Sequence, residues 1–329
     1  MSNLYSLIAR LFLGFLAAAA CGAVLAQAAA NYPNKPVRLI VPFPPGGGND
    51  IVARTVGRKL TDSFAQQVVI DNRGGASGNI GAETAAHAAP DGYTLFLGGI
   101  GSHGINPGLH ARLPYDPVKD FAPISLIGSA PLLAVVPLSL PAKSLGEFIQ
   151  LAKMRSGQLN FASSGTGTIA HLAAELLNLS AKIKVQHVPY KGTGPALTDL
   201  LGGQVQIMFN SAVSMLPQVR AGRLRAIAMT GARRSPAMPD LPTVAESGVP
   251  GYEATSWYGV LAPAGTPRPI VDKISHEITK VVQMPDVRER LIGDGAEPAG
   301  TSPAEFAAHI KRELARWAKV IQEANIRVE

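Results

Sequence analysis

From Asn31 onward, short apolar runs alternate with longer stretches in which apolar residues recur every three or four positions. The run VRLIV at 37–41 is β-branched and apolar, and it meets Pro42-Phe43-Pro44-Pro45-Gly46-Gly47-Gly48. Beyond it Ile51, Val52, Thr55, Val56 and Leu60 share one face of a helix predicted to run to about Phe64, with Asn49 or Asp50 as its cap. Residues 68–70 read as a second strand, 77–88 as a helix and 94–97 as a third strand. Strands alternating with helices imply parallel β-α-β units, hence an α/β sheet.

The pattern changes at 124–136, an apolar stretch too long for one ordinary strand. A second alternating set follows: helices at 144–155, 167–179, 194–202 and 214–221, and strands at 159–163, 184–188, 205–209 and 224–229. Another apolar run, 256–262, precedes two closing helices. The last opens on Ser302-Pro303-Ala304-Glu305, a capping box with proline at the first helical position, and buries Phe306, Ile310, Leu314, Trp317 and Ile321. Two long runs flanking a complete α/β set predict two crossings between lobes, with a single large sheet as the alternative. The expected architecture is a two-lobed α/β clamshell, each lobe a mixed sheet flanked by helices. Lobe 1 takes 31–125 and 258–329, lobe 2 is an insertion at 130–250, and two crossing strands form the hinge. Pockets favour the cleft between such lobes.

Residues 1–30 read as a targeting segment. Arg10 precedes an apolar run from Leu11 to about Leu25, and Ala26-Gln27-Ala28 and Ala28-Ala29-Ala30 supply the small residues a signal peptidase needs. The run falls short of the ~20 residues of a membrane span, so export to the periplasm with cleavage is expected. Lipidation at Cys21 is the competing idea, disfavoured by Ala18 and by the position of Cys21 inside the apolar run. Cys21 is the only cysteine, which excludes a disulfide scaffold.

Composition narrows the function. With 47% hydrophobic and 16% charged residues, disorder is excluded. The net charge of +7 is scattered, and only 6% of residues are aromatic, so no nucleic-acid footprint exists. Dinucleotide binding at Gly99-Ile100-Gly101-Ser102-His103-Gly104 is disfavoured, because Pro107 follows at once and no acidic residue ends a strand about 20 positions on. No phosphate-loop lysine, nucleophile elbow or zinc-binding histidine pair occurs, so neither enzyme chemistry, cofactor nor metal is expected.

Two glycine-rich loops remain. Phe43–Asp50 ends a strand and opens a helix, which is the physics of an anion cradle: amides without Cβ obstruction beside a partly positive helix start. Asp50 would repel an anion, so bracing suits it better. Ser163-Ser164-Gly165-Thr166-Gly167-Thr168 repeats the idea in the second lobe, and either loop alone also fits a plain capping turn. His171, one turn on, is either a further donor or a surface histidine.

Tyr32-Pro33-Asn34-Lys35-Pro36-Val37-Arg38-Leu39-Ile40-Val41-Pro42-Phe43-Pro44-Pro45-Gly46-Gly47 resembles the opening of the Bug family, extracytoplasmic solute receptors of tripartite tricarboxylate transporters. The blocks at 71–79, 90–95, 120–124, 163–168, 188–192 and 257–260 resemble it in order. The resemblance implies a periplasmic receptor, not an enzyme, that closes on a small organic carboxylate and hands it to a two-component permease. A monomer is expected, with no nucleic-acid partner. The ligand site it implies comprises Phe43, Pro45, Gly46, Gly47 and Asp50, then Ser164, Gly165, Thr166, Gly167, Thr168 and His171, with Ala76, Tyr190, Asn210 and Ser211 as further lining. A sensory receptor feeding a membrane kinase is the alternative, and a periplasmic enzyme a third. Gly46→Val is expected to harm binding more than Thr168→Ala, because a Cβ would block the ligand's approach and strain the turn.

Overall fold

The computed structural model describes residues 31–323. The predicted targeting segment and the final residues lie outside that range. The first unit is β1 (Val37–Val41), α1 (Gly48–Phe64), β2 (Val68–Asn72), α2 (Asn79–Ala86) and β3 (Thr94–Gly99). A single π-type turn, Gly101–Ile105, and short α3 (Asn106–Leu109) lead to β4 (Phe121–Pro137). The second unit is α4 (Leu145–Met154), β5 (Asn160–Ser163), α5 (Ile169–Ala181), β6 (Gln186–Pro189), α6 (Thr193–Leu201), β7 (Ile207–Ser211), α7 (Ala212–Arg220) and β8 (Leu224–Met229). The chain returns through β9 (Thr255–Pro263), α8 (Arg268–Gln283), α9 (Pro285–Gly293), β10 (Glu297–Pro298) and α10 (Pro303–Glu323).

Pairing runs β2-β1-β3-β9-β4-β7-β5-β6, with β8 and β10 also on β4. β1 is parallel to β2 and β3, and β5 to β6 and β7, whereas β9 is antiparallel to both β3 and β4. Two half-sheets therefore share one strand. The first part of β4 pairs with β9 over Phe121–Pro131, and the second pairs with β7 and β8 from Leu132 on. The stretch 124–136 thus lies within a single 17-residue strand, Phe121–Pro137. Its pairing with β9 shifts register at 123/125 and 126/128, and its pairing with β8 at 134/135.

Two further expectations are corrected. The helix foreseen at 77–88 begins only at Asn79, because Gly75, Ala76, Ser77 and Gly78 all have positive φ, which no right-handed helix accommodates. Three helices, not two, close the described chain: Met284 is extended (ψ 134°) ahead of Pro285, whose missing N–H and ring suit a helix start and not a helix interior. The last helix is built as its sequence suggests. Ser302 Oγ accepts from the Glu305 amide while Glu305 accepts from the Ser302 amide, and Phe306, Ile310, Trp317 and Ile321 are buried, with Leu314 only partly so.

Candidate functional site

Strands β1, β3, β5 and β7 all deliver their carboxyl ends to one cavity, the usual ligand position for parallel strands. Its walls are Pro42–Pro44, Gly47–Asn49, Gly99–Ser102, Ser164, Thr168–Ala170, Asn210, Ser211 and Ser256–Tyr258, with Gly78, Leu132 and Thr193. The cavity holds about 60 Å³, room for a few water-sized groups at roughly 10–15 Å³ each. The two halves touch around it. Ser77 Oγ donates to the Thr166 carbonyl, and a Cβ on Gly192 would stand 3.3 Å from Pro44.

The first loop is braced by charge. α1 starts at Gly48 with Gly47 as N-cap and no side-chain cap, so neither Asn49 nor Asp50 fills the capping role expected of it. Asp50 sits inside the first turn and reaches back. Its carboxylate accepts from the Gly46 amide (3.0 Å), Arg54 Nε (3.0 Å) and Asn72 Nδ2 (3.1 Å), and Asn72 also grips the Phe43 carbonyl (2.9 Å). Burial alone would raise the Asp50 pKa, but hydrogen bonds from Arg54, Gly46 and Asn72 together hold it below the ordinary carboxylate value. Asp50 is 4% exposed and does not line the cavity. Its work is to hold the loop whose amides do.

The second loop is braced by neutral groups. Thr168 caps α5, accepting from the His171 amide and donating to the Gly165 carbonyl (2.7 Å). Ser163 Oγ donates to the Gly165 carbonyl (3.0 Å) and shares a 2.6 Å bond with His187 Nε2. The Gly167 amide donates to His171 Nδ1 (3.1 Å). What remains open to the cavity is Ser164 and the α5 start at Ile169 and Ala170, whose amides have no acceptor within the helix.

Opposite, Asn210 Nδ2 donates to Thr193 Oγ1 (3.2 Å), and Ser211 Oγ lies 2.6 Å from Tyr258 Oη. Burial raises the Tyr258 pKa, so the phenol stays a neutral hydroxyl. No wall residue carries a charged side chain among the described residues. An anion there meets helix starts, amides and hydroxyls only.

Of the residues expected at the site, Phe43, Gly47, Ser164, Thr168, Asn210 and Ser211 line the cavity. Pro45, Gly46, Asp50, Ala76, Gly165, Thr166, Gly167, His171 and Tyr190 stand behind it or beside it. Tyr190 supports the second loop through its amide to the Ser163 carbonyl and donates its hydroxyl to Asp199. Arg73 is paired with Asp71 on the surface. Sequence reasoning passed over Gly48, Gly99–Ser102, Ile169, Ala170, Thr193 and Ser256–Tyr258. The helix starts after each loop were the available signal for three of these. A Cβ on Gly46 would meet no protein atom within 4 Å, while its φ of +88° strains any side chain placed there, as expected of that turn. The crowded glycine is Gly48, where a Cβ would stand 2.7 Å from Tyr258 Oη and 3.2 Å from Ser211.

Residues 52–326 match the model of the tripartite tricarboxylate transporter family receptor. The chain is 38% identical to protein BugT of Bordetella pertussis, covering 94% of this chain and 96% of that one. Among solved structures it resembles Rpa4515 of R. palustris with adipate (39% identity, TM-score 0.88, 90% of this chain and 99% of that one). MatC of Rhodopseudomonas palustris with bound malate is also similar (37% identity, TM-score 0.83, 88% of this chain and 100% of that one). With a family-model match and relatives aligned over nearly their whole length, this two-lobed α/β chain belongs to the tripartite tricarboxylate transporter receptor family, the Bug proteins, which are solute-binding receptors and not enzymes.

Proposed function

We propose that this protein binds a small organic carboxylate in the cavity between its half-sheets and delivers it, in the periplasm, to a two-component permease of the tripartite tricarboxylate type. The observation that carries the reading is the cavity wall, in which the starts of α1 and α5 and several hydroxyls converge and no charged side chain intervenes. Helix-start charge supplies roughly 0.3–1 kcal/mol and each hydrogen bond to a charged group about 1.5–3 kcal/mol. Four or five such contacts reach the roughly 8 kcal/mol of micromolar binding. The adipate and malate of the relatives' structures support the ligand class.

In this reading, residues 31–125 with 258–329 form one lobe and 130–250 the other, with two crossing strands, β4 and β9, as the hinge. The change of partners along β4 at Leu132 supports that division. The leader at 1–30 is cleaved on export. No helix among the described residues is long and apolar enough to cross a membrane.

Mass spectrometry of ligand released from the purified protein, with a thermal-shift panel of organic acids, tests the binding. Ligand at 100 times its Kd stabilises the fold by about 2.7 kcal/mol, and a panel in which no carboxylate raises Tm refutes the proposal. Uptake of the bound acid by vesicles carrying the permease should require this protein, and the mature N-terminus should lie near Ala29.

A further inference from the structure

Behind the second loop, out of reach of the cavity, lies a stack of three rings. His187 on β6 sits between Phe161 on β5 and His171 on α5, with ring centroids 4.8 Å and 4.0 Å away and interplanar angles of 16° and 14°. Each imidazole grips one end of the loop: His187 Nε2 holds Ser163 Oγ, and His171 Nδ1 accepts the Gly167 amide. Because that amide is a donor, Nδ1 of His171 carries no proton, which fixes the neutral Nε2–H tautomer. The one charged group set against the pair among the described residues is Glu175, whose Oε1 is 3.8 Å from His171 Nε2, too far for a hydrogen bond.

We propose that His171 and His187 are positioning residues: a neutral imidazole stack that sets the 163–168 loop so that Ser164 and the α5 amides face the bound carboxylate. The proposal rests on that loop being the carboxylate's seat. Protonating His171 at Nδ1 would set a donor against the Gly167 amide, and two imidazolium rings 4.0 Å apart would repel. Burial holds both imidazoles well below their ordinary pKa, His171 at about 4 and His187 at about 3, in keeping with a frame that stays uncharged.

The test exploits two ways of replacing His171. Asparagine keeps an acceptor near the position of Nδ1 but loses the ring; phenylalanine keeps the ring and loses the acceptor. With adipate as the calorimetric probe, His171→Phe should weaken binding about tenfold and His171→Asn by no more than about threefold, as loss of one net hydrogen bond predicts. Packing alone would produce the opposite order, and that order overturns the proposal. The second measurement needs no ligand. Imidazole ¹⁵N shifts should show His171 unprotonated at Nδ1 at neutral pH, and the Gly167 amide should be protected from exchange in the wild type and His171→Asn but not in His171→Phe. A protonated Nδ1 or an unprotected Gly167 amide overturns the assignment whether or not adipate binds. Failure of every acid in the thermal-shift panel would instead strike the carboxylate reading.

Discussion

The two loops that face each other across the cavity follow the same plan, a strand, a glycine-rich turn and a helix start, yet they are held in opposite ways. The 42–50 loop is tied by an ionised carboxylate that gathers an amide, a carboxamide and a guanidinium, and the guanidinium side chain is half exposed. The 163–168 loop is tied by hydroxyls and imidazoles, with Ser163, Thr168 and His171 all buried. The contrast shows how an anion site can be rigid without placing a charge in the anion's path. Asp50 is turned away behind its own loop and neutralised by Arg54, and the second loop has no ionised group to hide. Rigidity comes from behind, recognition from the amides left over.

That comparison can be broken first at the shared boundary. Gly48→Val would drive a Cβ into Tyr258 and Ser211, and overpacking of that kind costs about 1–3 kcal/mol. Calorimetry should show carboxylate affinity falling by about a hundredfold in protein that still unfolds cooperatively. Gly46→Val should do less, because only backbone strain opposes it.

Next in size is Asp50→Ala, which leaves the Gly46 amide, Asn72 and Arg54 without their shared acceptor. Stranding such groups costs about 1–3 kcal/mol, to be read as a lower urea midpoint. Arg54→Ala should cost less than about 1 kcal/mol, since an exposed cation contributes little.

A pH series separates the two braces. The imidazoles have folded pKa values below the ordinary 6.5, so between the two values the unfolded chain binds more protons. Stability from this pair is complete above about pH 6.5 and is lost as pH falls towards about 4. Asp50, also depressed, contributes fully above its ordinary 3.8 and loses its contribution only below that. Buried His103, with its pKa lowered to about 3 by desolvation, adds its own slope, so the decisive quantity is a difference. Urea midpoints of the wild type and of His171→Asn/His187→Gln should converge as pH drops from 6.5 to 4, whereas Asp50→Asn should keep the wild-type slope there. Thr168→Ala should remove about 1 kcal/mol of helix cap and weaken binding only a few-fold.

Much of this was legible in order and periodicity. The alternation of 37–41, 68–70 and 94–97 with helical stretches is local: a β-branched run or a 3.6-residue stripe declares itself within a dozen residues. So does the capping box at Ser302. The miss at 77–88 was also local in cause, since four successive positive φ values at Gly75–Gly78 carry no unmistakable sequence sign when two of the residues are Ala and Ser. The site was less legible. Phe43, Gly47, Ser164, Thr168, Asn210 and Ser211 belonged to loops that advertised themselves, but Ser256–Tyr258 lie in an apolar strand that looks like core, and the Gly99–Ser102 turn resembled a rejected motif.

By itself, then, the sequence determined the α/β class, the positions of the two loops, the helix starts behind them and the family. Those depend on interactions between near neighbours in the chain and on residues quoted in order. Only the tertiary structure decided which atoms of each loop face the cavity, because that depends on partners far away: Asn72 across from Asp50, His187 beneath Ser163, Tyr258 beside Gly48. His171 shows the reason most plainly. One turn into a helix it looked equally suited to ligand or solvent, and only the approach of β6 turned its ring inward against His187 and spent its lone pair on the Gly167 amide.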